Sequence, residues 1–103
     1  MREYLAIPAW RTPPTPLAAW VAGLTEAAGP VAVRPDPPSA FWLEVAPLRL
    51  RGFALIEEGH ASAINFELHD PDPDPATRAI EAAALALGWE IHADDEDDPD
   101  DDD

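Results

Sequence analysis

Residues 48 to 69 read L-R-L-R-G-F-A-L-I-E-E-G-H-A-S-A-I-N-F-E-L-H. The stretch has no proline, in a 103-residue chain that has 13. Apolar residues alternate on both sides of Glu57-Glu58-Gly59, which predicts two long antiparallel strands joined by a tight loop. Side chains alternate faces with a period of two, so register can be worked out by arithmetic. Leu48 and Leu50 share a face with Ile64, Phe66 and Leu68 only if paired positions sum to an even number. A two-residue loop at Glu58 and Gly59 sums to 117 and sets Leu50 opposite Glu67. A three-residue loop at 57–59 sums to 116, with Gly59 in the left-handed bulge position. The register 116 is the expected one, because it pairs Leu50 with Phe66, Leu48 with Leu68, and Arg49 with Glu67. Phe53 and Leu55 then lie on the Arg49 face. Either Gly52 marks a bulge that flips them, or both faces of the sheet are partly apolar.

Upstream, Val31–Arg34 and Phe41–Val45 read as two short strands, with Pro35-Asp36-Pro37-Pro38 as the turn. In the second strand Phe41, Leu43 and Val45 share one face, with Trp42 and Glu44 opposite. Residues 3–7 form a first strand, with Leu5 and Ile7 on one side and Tyr4 and Ala6 on the other. Between them, Leu17, Trp20, Val21 and Leu24 make one helical stripe. Thr15 is placed as its N-cap, Pro16 as its first residue, and Gly29-Pro30 as its end. Downstream, Asp74 and Pro75 open a second helix. Its stripe is Ile80, Ala83, Ala84 and Leu87, and Gly88 closes it. Trp89 and Ile91 start a last strand. Trp20 and Trp89 fall on core stripes.

The order is strand, helix, short hairpin, long hairpin, helix, strand. This predicts an α+β fold in which two helices cover one face of an antiparallel sheet. With the short hairpin set aside, β-α-β-β-α-β is the split-βαβ order of ferredoxin-like folds. Residues 1–93 form the expected single domain. Residues 94–103 read D-D-E-D-D-P-D-D-D-D, nine acids in ten positions, and are expected to be a disordered tail.

The formal charge is −15, from 21 acids and 6 basic residues, all of them Arg. The tail holds nine of the acids and the run D-P-D-P-D-P at 70–75 three more. Nine acids and six Arg remain, so the body of the fold is near −3. Direct binding of nucleic acid or of an anionic membrane needs a basic surplus that this chain lacks. No apolar run reaches the length of a spanning helix, and the start of the chain has no signal-peptide pattern. A cytoplasmic location is expected. With no Cys there is no thiol nucleophile and no Cys-ligated metal.

Candidate chemistry is sparse. Asp70, Asp72, Asp74 and Glu81 fall at places 1, 3, 5 and 12 of an EF-hand loop, but Pro75 stands where that loop needs a glycine with positive φ. Helix capping accounts for the same residues. Glu90, His92 and Asp94 fall on one strand face, yet isolated surface histidines are far commoner than metal sites. No nucleophile motif surrounds Ser39 or Ser62, and no glycine-rich phosphate loop occurs. The expectation is no catalytic set, no metal and no cofactor.

The expected function is therefore a non-catalytic protein-binding module or inhibitor, of an immunity, antitoxin or anti-defence type. Its partner would present a basic surface and could itself bind nucleic acid. The candidate contacts are Trp10, Arg11, Trp42, Phe53 and Leu55, because exposed Trp and Arg dominate interface energetics. The tail acids Asp94, Asp95, Glu96, Asp97, Asp98, Asp100, Asp101, Asp102 and Asp103 would add electrostatic steering. Two alternatives stand beside it. One is a plain assembly module using an aromatic sheet face, with the tail serving only solubility. The other is a divalent-cation-dependent binding protein.

Overall fold

The computed structural model describes residues 2–93, so the tail lies outside the described residues. The chain runs β1 (Arg2–Pro8), α1 (Leu17–Ala28), β2 (Ala32–Asp36) and β3 (Ala40–Val45). A 3-10 turn (Ala46–Leu48), β4 (Leu50–Glu57), β5 (His60–Leu68), α2 (Asp74–Leu87) and β6 (Trp89–Ala93) follow. The fold is α+β. All six strands join one antiparallel sheet in the order β2-β3-β4-β5-β1-β6. The short hairpin is not a separate appendage: β3 pairs with β4 and so extends the sheet.

The β4–β5 hairpin corrects the expected register. Pairs from Leu50↔Leu68 to Leu55↔Ala63 sum to 118, and those from Ile56↔Ala61 sum to 117. The loop has two residues, Glu58 and Gly59, with φ of 53° and 82°, the signs that a type I′ turn requires. Ser62 is the extra residue of a bulge, and its hydroxyl donates to the Leu55 carbonyl at 3.2 Å. The bulge raises the sum by one and so restores the even parity that the apolar faces demand. Arg51, rather than Arg49, faces Glu67, and Leu48 has left the strand for the 3-10 turn. Gly52 is not a bulge. It sits opposite Phe66, and a Cβ there would come within 2.8 Å of the Phe66 ring. Phe53 and Leu55 stay on the Arg51 face, and both faces of the sheet are partly apolar.

Tyr4, Phe66 and Gly52 are paired across three strands and share a face. Trp20 of α1 packs on Phe66 with ring centroids 5.5 Å apart, and Thr77 of α2 donates a hydrogen bond to the Tyr4 hydroxyl at 3.3 Å. Both helices therefore cover this face. The core between the layers holds Ala6, Leu24, Leu43, Val45, Leu50, Ile64, Leu68 and Ile80. Trp89 meets Trp20 edge-on at 5.2 Å, an arrangement that suits the aromatic quadrupoles.

The helix starts depart from expectation. Pro16 and Pro73 hold the N-cap positions, with no side-chain cap. Thr15 is drawn inward instead: its carbonyl accepts from Ala61 N–H, and its hydroxyl accepts from Trp89 Nε1 at 2.9 Å. Asp74 lies inside the first turn of α2. The run before it is held by successive side-chain turns, in which Asp70 accepts from Asp72 N–H and Asp72 from Asp74 N–H. Gly88 ends α2 with φ 78°, as its sequence position implies.

Candidate interaction surface

The core-facing positions of β4 are Leu50, Gly52 and Ala54, so strand alternation turns Arg51, Phe53 and Leu55 to the other side. Register then assembles one row across the whole sheet: Arg34, Trp42, Phe53, Asn65, Leu5 and His92. No helix among the described residues packs on this face. Leu55 is 44% exposed and Leu5 39% exposed, with Phe53 half-buried next to Leu55 along β4 and Asn65 between Phe53 and Leu5.

Trp42 is not a bare ring. The Arg51 guanidinium stacks on it, with Cζ 4.3 Å from the centroid, and Phe53 tilts against it at 4.8 Å. Its indole N–H donates to Asp36 at 3.2 Å. Glu44 ties Arg34 and Arg51 together from the next row, at 2.5 and 3.5 Å. Trp42 is thus fixed in orientation by three neighbours and is half-buried. Such pre-organisation lowers the entropy lost when an anchor residue meets a partner. The rim of the face is acidic, with Asp36, Glu3, Glu44, Glu67 and Glu90 against Arg34 and Arg51.

The structure brings Trp42, Phe53 and Leu55 together and leaves Trp10 and Arg11 elsewhere. Trp10 and Arg11 sit in the turn after β1, three strands away from β3. Gly88 pins that turn: its carbonyl accepts from Ala9 N–H at 3.1 Å and from the Thr12 hydroxyl at 2.6 Å. Arg11 adopts φ 70° and lies over the Trp10 ring at 4.4 Å, and Trp10 is 83% exposed. The two tryptophans are separate features. Asp94 to Asp103 fall outside the described residues.

Two contributors to the open face went unread in the sequence. Leu5 was visible as an alternating residue of β1, but nothing local says that β1 lies beside β5. Alternation places Arg51 on the Phe53 face, but nothing local says that β4 lies beside β3, the pairing that sets Arg51 over Trp42. The histidines are scattered. His69 contacts Glu67 at 3.2 Å, and His92 contacts Glu90 at 3.0 Å. Among the described residues no three His, Asp or Glu side chains gather as a metal site. No helix there is long and apolar enough to cross a membrane. Comparison with protein-family models, curated proteins and solved structures returns no match to this chain.

Proposed function

We propose that this protein is a non-catalytic, cytoplasmic protein-binding module whose contact surface is the open face of its sheet. One observation carries the reading. A six-stranded sheet has its helices on one side only, and its other side presents Leu5, Phe53 and Leu55 beside an orientation-locked Trp42. Apolar residues grouped this way on an uncovered face mark a surface that is finished by another molecule. The acid-rich rim and the nine tail acids favour a partner with a basic surface, such as a nucleic-acid-binding protein. Inhibition of such a partner, in an immunity, antitoxin or anti-defence role, fits a small chain that binds without catalysing.

In fold terms we read β4-β5-β1-β6, with α1 and α2 as crossovers, as the split-βαβ order of ferredoxin-like folds. The β2–β3 hairpin then widens that sheet at its β4 edge and supplies Trp42 to the open face.

The test is capture from the source cells on immobilised protein. Wild type is compared with Leu55→Asp and Phe53→Ser on the open face, and with Leu85→Asp, whose side chain is 84% exposed on α2. Both open-face variants should lose the captured partner and Leu85→Asp should keep it. Equal capture by all four proteins would remove the open face from the reading. Steep weakening with salt supports a basic partner, whereas salt-independent capture favours the plain assembly module.

A further inference from the structure

β6 is an edge of the sheet and, among the described residues, pairs with β1 alone. Its backbone phase follows from one bond at the end of that ladder. Ala9 N–H donates to the Gly88 carbonyl at 3.1 Å, one step beyond the pair Pro8↔Trp89. Hydrogen-bonded and non-hydrogen-bonded pairs alternate along an antiparallel ladder. Glu90 and His92 therefore turn their backbone groups toward Ile7 and Leu5 of β1. Trp89, Ile91 and Ala93 turn theirs outward, where no strand among the described residues receives them. Pro8, which has no N–H to donate, stands opposite Trp89, as this phase requires. The other edge is different. β2 carries Arg34 and Pro35, a charge and a missing donor that blunt an edge strand. β6 reads W-E-I-H-A, with no proline and no glycine. Its exposed side chains, Glu90 and His92, are an acceptor and a donor two positions apart.

We infer that the outer edge of β6 is a self-recognition site, occupied by β6 of a second copy running antiparallel about a two-fold axis at Ile91. Paired positions then sum to 182. Ile91 meets Ile91 of the second copy, and Trp89 meets Ala93. This is the register within Trp89–Ala93 that gives all three outward-facing residues a hydrogen-bonding partner. The side chains agree with it. Glu90 falls opposite His92 of the second copy, and His92 opposite Glu90, so each imidazole meets a carboxylate across the new ladder. His92 already contacts Glu90 of its own strand at 3.0 Å, so the four groups alternate donor and acceptor. On the helix-covered face the half-buried Ile91 packs against its own copy. One patch meeting itself closes at a dimer. Five residues a side bury less than a standard interface, so the dimer is a transient one. The formal −15 on each copy opposes association, and salt screens that repulsion. Opposed residues of a ladder share a face, so both open faces lie on one side of the joined sheet and stay free.

The test is sedimentation of the full chain with amide exchange on the same samples. At about 0.15 M salt, where the screening length is ~8 Å, raising the protein from about 10 μM to about 1 mM should move mass from monomer to dimer. Exchange of the Ile91 and Ala93 amides should slow roughly twofold or more over that range, while Glu90 and His92, already bonded to β1, stay constant. Ile91→Pro removes an outward N–H and no bond to β1, so it should abolish the dimer. His92→Glu should raise the dissociation constant roughly tenfold, and adding Glu90→His should restore it. Phe53→Ser and Leu55→Asp should dimerise like the unsubstituted chain, which separates this contact from the open face. A chain that stays monomeric throughout would overturn the inference, as would an Ile91 amide equally protected at every concentration. So would a dimer that survives Ile91→Pro or is lost in Leu55→Asp. The charge swap at two exposed positions keeps the test valid if Ile91→Pro fails to fold.

Discussion

Gly52 shows how a missing side chain shapes the helix-covered face of the sheet. Its missing side chain seats the Phe66 ring, which in turn supports Trp20. Gly52→Ala should destabilise the fold by about 1–3 kcal/mol through overpacking, read as a lower urea midpoint with unchanged slope. An unchanged midpoint would mean that the ring does not lie there. Thr15 makes a second residue-scale case. Thr15→Val keeps the volume but leaves the buried Trp89 N–H unpaired, a loss of about 1–3 kcal/mol. Thr15→Ser keeps the acceptor and should lose clearly less in the same assay. The N-cap role expected of Thr15 rested on local propensity. The structure uses its oxygen for a bond to a residue 74 positions away, which no local rule anticipates.

At the scale of elements, the β4–β5 hairpin shows what patterning can and cannot settle. The existence of both strands, the parity of their faces and the turn at Gly59 follow from alternation and from glycine's tolerance of positive φ. The bulge at Ser62 does not, because a serine in a strand carries no bulge signal. Glu58, with φ 53°, is the strained member of the turn. Glu58→Asn should stabilise by roughly 0.5–1 kcal/mol, since Asn enters the left-handed region more readily. The helix pair holds a further prediction. Gly23 lets α1 approach α2, where an added Cβ would meet Ala83 Cβ at 3.2 Å. Gly23→Leu should therefore lower stability by about 1–3 kcal/mol despite the ~1 kcal/mol gain in helix propensity. A rise in the thermal midpoint would show that the helices can separate freely.

On the scale of the whole molecule, the two faces of one sheet have opposite tolerances. Leu43 is 2% exposed and faces the helices, whereas Leu55 is 44% exposed on the open face one strand away. Leu43→Glu should unfold the chain, because it buries an unpaired charge. Leu55→Glu should change unfolding free energy by no more than about 0.5 kcal/mol. Comparable losses from both would mean that something covers the open face. The sequence by itself determined the number and kind of elements, the helical stripes and the separation of an acidic segment from a nearly neutral body. Those properties are set by period, by proline and glycine, and by charge, all of which act over a few residues. Only the tertiary structure decided that the short hairpin joins the sheet at β4, and that Leu5, Phe53 and Trp42 share one row. Strand neighbours and their order are long-range pairings, fixed by how two helices and six strands bury one common face, and no local signal encodes them.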